Sequence, residues 1–270
     1  MPWERIKNYL LLFLVLLNLI LAGFMWNEYR RYTVTTEQER VIREVLNRHN
    51  VQLYNDMLRR FPPMRPLTIT AHYYDVAMML NIFFDDPQLV TQVDARYLDE
   101  FYLGEVRLTI EQGFVIYENP NGLGMTVQQF IDRHFPTFVL DTRFYEGNDL
   151  HLVYRQQYRG YLVYTNIIEF IIAPNGATEV EMQFGRIEGF ADAPVPIFAP
   201  DEALLTFLQR IVNLEPGVPQ FIDDMDIVYF QEITDGEPGT TSQAMPFYRI
   251  FVRGFDMPFL INARTNEMMA

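Results

Sequence analysis

The sequence predicts an α+β protein, in which a single N-terminal transmembrane helix precedes an extracytoplasmic body of two packed αβ units with antiparallel meander sheets. Three observations predict this fold class. An unbroken apolar segment covers residues 10–25. Further along, an amphipathic helix followed by alternating strand patterns occurs twice. Of the 270 residues, 49% are hydrophobic and 21% are charged, which is enough apolar material for a packed core.

The transmembrane helix is predicted over residues 9–26. Asn18 is the one polar side chain between residues 10 and 25, and Trp3, Tyr9 and Trp26 are placed as interfacial aromatic anchors. Eighteen helical residues rise about 27 Å, close to the thickness of a bilayer's hydrocarbon core. Leu, Ile, Val and Phe dominate the segment, so insertion gains about 4 to 7 kcal/mol before Asn18 and Gly23 are counted against it.

A cleaved signal peptide is the alternative interpretation of this segment. Arg5 and Lys7 form a basic N-terminal region, and residues 20–22 weakly resemble a cleavage site. The apolar run is longer than a usual signal-peptide core of about 7 to 15 residues and continues through Trp26. An uncleaved anchor is therefore favoured.

The orientation of the helix is only weakly indicated by charge. Arg5 and Lys7 precede it and Arg30 and Arg31 follow it, so the positive-inside comparison is nearly tied. A cytoplasmic N-terminus over residues 1–8 is favoured, because long following domains can be translocated regardless of charge. The protein is thus expected to be a single-pass cell-membrane protein.

Asn18 in the middle of the apolar segment has two interpretations. Its amide can be satisfied by the backbone of its own helix. Alternatively, it can donate or accept a hydrogen bond across to another helix, which is worth about 0.6 to 2 kcal/mol. The residues themselves leave both open.

A helical stalk is predicted over residues 27–49, because Thr36 and Glu39 match a capping box and apolar residues follow at helical spacing. Residues 50–125 are assigned to the first part of the extracytoplasmic N-terminal domain. That part contains a strand pattern over 67–74 and a hairpin over 104–117 that turns at Gln112 and Gly113.

Two similar units are predicted in the rest of the chain. The first, residues 126–190, has a capped helix followed by three alternating strands, at 150–157, 161–172 and 177–184. A proline-rich linker over 191–200 leads to the second unit, residues 201–270. Its helix begins at about Pro200 and is followed by strands at 227–233, 247–252 and 258–263. Each helix can cover one face of its sheet.

Charge and composition exclude several functions. Residues 1–60 carry a net charge of +3 and residues 61–270 carry −17. A body this acidic repels nucleic acid, whereas a basic segment beside an apolar one suits a membrane surface. The chain has no cysteine, so it forms no disulfide or thiolate site. Lys7 is the only lysine and Ser242 the only serine, which disfavours Schiff-base, Walker-type and serine-hydrolase chemistry.

No catalytic, cofactor-binding or metal-binding residue is predicted. The four histidines lack the paired helical spacing of zinc ligands, and His49 and His134 are interpreted as helix-end residues. The acidic cluster at 223–226 is interpreted as a solvated turn before a strand, the glycines at 122 and 124 as a turn, and Ser242 as part of a polar hairpin loop. The four histidines are His49, His72, His134 and His151.

Several blocks of sequence, in order along the chain, resemble the YycI family of regulators associated with a cell-wall sensor histidine kinase, WalK/YycG. The first block is the opening around Trp3, and the second is the membrane segment at 16–21. The later blocks are residues 117–120, 158–163, 201–205, 247–250 and 259–263. The chain departs from the family pattern at Pro2, at 248–249, at 259–260 and at 266–267.

The resemblance implies a noncatalytic, two-component regulatory protein with a YycH-like, PepSY-like ectodomain. It implies that the helix associates with a YycH-like paralogue, as a heterodimer, and with the transmembrane helices of the kinase. Asn18 then becomes a helix-contact residue, together with Leu14, Leu17 and Leu21 on the same helix face. Two other classes stay open. In one, an extracytoplasmic binding module recognises a wall polymer or peptide in a groove between the units, and the helix is only a tether. The other is an anchored hydrolase.

Overall fold

The protein is mixed α+β, with an apolar N-terminal helix and an antiparallel-rich sheet, in agreement with the predicted fold class. The structure is a computed structural model. It describes residues 3–71, 74–94, 99–111, 113–214, 217–231 and 239–269. Pro2, His72, Gln112 and the end of the strand predicted over 227–233 lie outside the described residues.

The helices follow the local capping signals. Thr35 and Gln38 form the capping box of the second helix, one residue before the predicted pair, because Thr35 is the last residue with extended backbone angles. Thr126 and Gln129 cap the fourth helix in the same way. The helices are α1 (Trp3–Arg31), α2 (Thr36–Arg48), α3 (Val76–Phe83), α4 (Val127–His134) and α5 (Pro200–Leu214), with a 3₁₀ turn at Pro87–Leu89.

The strands are mostly joined by short turns and alternate in burial. They are β1 (Val51–Leu53), β2 (Leu67–Thr70), β3 (Thr91–Asp94), β4 (Asp99–Leu103), β5 (Val106–Glu111), β6 (Phe114–Asn119), β7 (Phe138–Glu146), β8 (Asp149–Tyr158), β9 (Tyr161–Ile172), β10 (Thr178–Gln183), β11 (Arg186–Phe190), β12 (Gln220–Phe230), β13 (Thr241–Val252) and β14 (Phe259–Asn262).

The chain divides into two compact units, each built from separate segments. Unit 1 comprises residues 1–64, 196–226 and 248–270, and unit 2 comprises residues 65–195 and 227–247. The division at residue 195 falls within the predicted linker 191–200. The divisions at 64, 226 and 247 have no counterpart in the predicted boundaries, because they depend on which distant segments pack together.

Unit 1 has a core between two helices and short strands. Ile42 and Leu46 of α2 are buried, and α2 packs against both α5 and β1. On α5, Phe207 is fully buried and its ring lies 5.2 Å from that of Phe259 on β14. Strand β1 pairs in parallel with the first residues of β12.

Unit 2 is built on an antiparallel sheet in which β3, β4, β5, β6, β10, β9, β8 and β7 lie side by side in that order. Helices α3 and α4 cover one face of it. Phe83 of α3 stacks on Tyr117 at 4.4 Å, and Phe130 of α4 packs edge-on against Phe170 at 5.7 Å. Strands β11, β2 and the start of β13 pair in that order and continue the same sheet, since β13 neighbours β12 and β12 pairs in parallel with β9.

Three local predictions are corrected. Asp223, Asp224 and Asp226 lie within β12 and not in a turn, and Ser242 lies in β13, which begins before the predicted strand at 247. Both errors arise because strand pairing overrides local polarity. The stalk predicted over 27–49 is divided, since α1 ends at Arg31 and the buried residues of α2 pack it onto unit 1.

Candidate functional site

The candidate site is α1 and its junction with the rest of unit 1. The helix is long and apolar enough to span a membrane over Ile6–Arg31. Its apolar side chains are exposed on every face: Leu14 is 56% exposed and Leu17 is 43% exposed, and Leu16 on the opposite face is 56% exposed. In water, so much exposed apolar surface is unfavourable. The apolar surface of α1 is therefore suited to contact with lipid or with another protein.

The predicted contact residues share one face of α1. Leu14, Leu17, Asn18 and Leu21 are three or four positions apart, so they form a stripe along the helix. Asn18 Nδ2 donates a hydrogen bond to the carbonyl oxygen of Leu14 at 3.0 Å. This is the backbone-satisfied arrangement. It still leaves the second N–H of the amide and its oxygen available for another helix.

The predicted interfacial anchors all lie on α1 and are exposed, with Trp3 at 70%, Tyr9 at 67% and Trp26 at 64%. Trp26 stacks on Tyr29 with ring centroids 6.3 Å apart. The helix continues past Trp26 for more than one turn to Arg31. Tyr29, which was not among the predicted anchors, therefore forms an aromatic pair with Trp26 at this end of the helix.

The end of α1 is joined to a later segment of unit 1 by backbone pairing. Thr33 forms an antiparallel bridge with Arg60. The N–H of Val34 donates to the carbonyl oxygen of Arg59 at 2.8 Å, and the N–H of Phe61 donates to that of Tyr32 at 3.1 Å. These bonds fix the chain where it leaves the helix, so α1 is not connected through a free linker.

A buried carboxylate reinforces this junction. Glu39 of α2 is 7% exposed. Its Oε1 accepts hydrogen bonds from Arg43 at 3.1 and 3.3 Å, and its Oε2 lies 3.0 Å from Arg59 Nη2. Arg43 also donates to the carbonyl oxygens of Leu53 and Asn55, at 2.7 and 2.9 Å. The network ties α2 to the segment that pairs with the end of α1.

Sequence reasoning missed the junction. Arg59 and Arg60 lie 28 and 29 residues beyond the end of α1, and no local pattern relates them to it. The available signal was the pair of adjacent arginines before the proline-rich residues 61–66. The net charge of residues 1–60 includes these two arginines but does not indicate where they lie in the fold.

The sheet face of unit 2 opposite α3 and α4 carries a row of charged groups. Glu179 lies opposite Glu118, and Glu181 lies opposite Glu169. Partial burial, followed by the neighbouring carboxylates, raises the pKa of both Glu179 and Glu181. His151 Nδ1 lies 2.7 Å from Glu169 Oε1.

The histidines and glycines considered in the sequence analysis do not form a catalytic or metal-binding cluster among the described residues. Among the described residues, no group of three His, Asp or Glu side chains is placed to hold a metal ion. His49 ends α2 and His134 is the last residue of α4, as predicted. Burial and the charge of Arg133 lower the pKa of His134. Gly122 lies in the predicted turn, where its φ of 78° and a close approach to the Gly176 carbonyl require glycine.

The acidic cluster on β12 is used by unit 1 for ion pairs. Asp226 accepts hydrogen bonds from the guanidinium of buried Arg249 at 2.9 and 2.6 Å, and Asp223 accepts them from Arg253 at 3.3 and 2.6 Å. These two carboxylates therefore serve to hold β12 to β13 and to the residue directly after β13, through charged hydrogen bonds.

Comparison with known proteins gives a likeness in fold only. No family model and no curated protein matches the sequence. An uncharacterized protein from Eubacterium rectale has a similar structure, with a TM-score of 0.53 at 8% identity over 82% of this chain and 89% of that one. The C-terminal domain of YpeB from Bacillus megaterium aligns with a TM-score of 0.43 at 12% identity, over 74% of this chain and 97% of the domain. The resemblance to YycI remains a prediction, as does the PepSY-like assignment.

Proposed function

We propose that this protein is a membrane-anchored, noncatalytic regulator of the YycI type. In this proposal α1 crosses the cell membrane once, the N-terminus is cytoplasmic, and the body is extracytoplasmic. The helix binds the transmembrane helices of a two-component sensor histidine kinase and of a YycH-like partner, and thereby changes kinase output. The observation that carries the proposal is a helix apolar on every face, fixed to a folded body by a built junction.

The physical mechanism is a shift between two kinase states. A helix that binds one signalling state better than the other changes their ratio only by its difference in affinity. A difference of about 1.4 kcal/mol changes the ratio tenfold. One interhelical hydrogen bond from Asn18, with close packing of the neighbouring leucines, supplies energy of this order.

The junction gives such a regulator a connection between its membrane part and its body. In a chain with a flexible linker, a change in the body would not alter the position of α1. Here the backbone bonds at residues 32–34 and the ion pairs of Glu39 hold the end of α1 to unit 1. A signal received by that unit can therefore move the helix.

The proposal is tested by exchanging the apolar segment. Residues 10–25 are replaced by an unrelated apolar helix of equal length in the full chain, and kinase output is measured in cells. We expect regulation to be lost, while membrane localisation and protease resistance of the body are unchanged. Unchanged kinase output in this variant would reject the proposal. Co-purification of the full-length protein from membranes, before and after the exchange, identifies the helices it binds.

A second candidate function, an extracytoplasmic peptide-binding module, is favoured by one observation. Strand β7 pairs with β8 along one edge, and no other described strand pairs with its second edge. Leu140, Phe144 and Tyr145 on this strand are 49%, 38% and 64% exposed. An extended peptide can add to such an edge as a further strand.

The two candidates are separated by a pair of variants. In L140S/Y145S the exposed edge loses its two most exposed apolar side chains and keeps Phe144, whereas L89S removes an exposed leucine elsewhere in unit 2. The binding-module candidate requires that the full chain bind wall peptides or wall polymer, and that only the edge variant lose this binding. The helix-regulator proposal requires instead that both variants regulate the kinase normally.

A further inference from the structure

Three arginines are brought together at the body end of α1 by the fold. Arg30 and Arg31 are in the last turn of α1, and Arg60 is placed beside them by its bridge to Thr33. All three side chains are exposed. We refer to Arg30, Arg31 and Arg60 as the arginine collar.

The collar is positioned at a definite depth along the helix. The guanidinium of Arg60 lies over the ring of Tyr29, 4.8 Å from its centroid, and Tyr29 stacks on Trp26. Arg30 and Arg31 are four and five residues beyond Trp26, a rise of about 6 to 8 Å along the axis. If Trp26 and Tyr29 mark the membrane interface, the collar lies at the level of the lipid headgroups.

The nearby carboxylates do not neutralise the collar. Glu39 Oε1 accepts hydrogen bonds from Arg43, and its Oε2 lies at ion-pair distance from Arg59 without a hydrogen bond. Glu37 is paired with Arg40 at 2.6 Å. Within the described residues, no carboxylate lies at ion-pair distance from Arg30, Arg31 or Arg60. Glu28, one turn before Arg31 on α1, is the carboxylate nearest to the collar in sequence, and it forms no ion pair with the collar among the described residues. The collar therefore keeps an excess of positive charge, in contrast to residues 61–270, which carry −17.

We propose that the arginine collar binds the phosphate groups of anionic phospholipids in the leaflet next to the body. A guanidinium presents two parallel N–H donors that match two phosphate oxygens. Several such groups beside an interfacial aromatic pair are suited to headgroups, which hold their phosphates at one level in the membrane. The inference rests on membrane insertion of α1 as proposed above, and adds the class of lipid that surrounds it.

The test uses the full chain in vesicles of phosphatidylcholine containing a spin-labelled lipid. The association of labelled phosphatidylglycerol relative to labelled phosphatidylcholine is measured by electron paramagnetic resonance. We expect the unmodified chain to prefer phosphatidylglycerol, and R60Q to lower this preference about fivefold, the effect of one arginine at a charged membrane surface. R60K, which keeps the charge, should retain most of it, and R30Q/R31Q/R60Q should abolish it.

The matched control is R40Q/R48Q/R264Q, which removes three exposed arginines of unit 1 away from the collar. The control should keep the preference for phosphatidylglycerol. An equal loss in the control, or no loss in the collar variants, would overturn the proposal. Inorganic phosphate at constant ionic strength should not compete, and competition would show a site for free anions in place of lipids. A chain that fails to float with phosphatidylcholine vesicles would instead reject the membrane anchor itself.

Discussion

The helices α1 and α5 are both rich in apolar residues, yet their environments differ. On α5, Ala203, Leu204, Phe207 and Ile211 are buried against unit 1, whereas Leu205 on the outer side is 40% exposed. On α1, apolar side chains are exposed on all faces. The arrangement of apolar residues around the axis distinguishes the helices, because a stripe fits one protein surface and an apolar cylinder fits lipid or other helices.

The difference also separates two kinds of stabilisation. The apolar stripe of α5 contributes to the folding free energy of unit 1, since each buried side chain leaves water on folding. The apolar residues of α1 contribute nothing comparable to packing within the described protein. Under the proposed function, lipid and partner helices bury them. Substitutions in α1 should therefore leave the folding stability of unit 1 unchanged, and substitutions in α5 should leave the membrane insertion of α1 unchanged.

The largest expected effect is on α5. Phe207→Ala removes a fully buried ring packed on Phe259, and we expect it to lower the free energy of unfolding by about 3 to 5 kcal/mol. Leu205→Ala, on the exposed side of the same helix, should cost well under half as much. Urea unfolding of the full chain in detergent, followed by circular dichroism, measures both. Equal losses would contradict the assignment of the buried stripe.

A somewhat smaller effect is expected on α1. Leu17→Arg introduces a charge at the middle of the apolar segment and should make insertion less favourable by about 3 to 4 kcal/mol. Leu205→Arg on α5 makes the same change outside the membrane segment and should not alter membrane association. The fraction of protein resistant to alkaline extraction of membranes reports insertion. If Leu17→Arg left that fraction unchanged, the comparison between the two helices would fail.

The smallest expected effect is that of moving Asn18, and it tests whether one face of α1 differs from the opposite face. If the proposed helix contact forms, Asn18→Leu should weaken binding of the helix to its proposed partners by about 0.6 to 2 kcal/mol, because the proposed interhelical hydrogen bond is lost. In the double variant N18L/L16N the amide is moved to the opposite face with the composition of the segment unchanged. We expect co-purification with partners to fall in both variants. Recovery in the double variant would show that only the presence of asparagine matters, and not its face.

Much of the fold was predictable from residues close in sequence. The apolar run of α1, the capping box of Thr126 and Gln129, and the alternation of β9 all depend on positions within a few residues of one another. Such signals are read directly from helical and strand periodicity. The charged strand β12 was recognised only in part, because Asp226 and Asp223 pair with arginines that lie 23 and 30 residues later along the chain.

The candidate site was predicted less completely than the fold. Helical spacing alone places Leu14, Leu17, Asn18 and Leu21 on one face of α1, whereas their role as contact residues is a prediction that the resemblance to the YycI family implies. By contrast, neither the buried position of Glu39 nor the arrival of Arg60 beside Tyr29 has any local signature. Its spacing predicts Glu39 as a capping-box residue, whereas the structure buries it beside Arg59 from another segment.

The sequence by itself determined the apolar helix, the α+β class and the charge contrast between the two ends of the chain, because these depend on composition and short-range periodicity. Only the tertiary structure decided how α1 is joined to unit 1 and which arginines surround its end. The reason is physical: backbone pairing of residues 32–34 with 59–61, and the ion pairs of Glu39, bring together groups separated by tens of residues. Their proximity arises from packing of the whole unit.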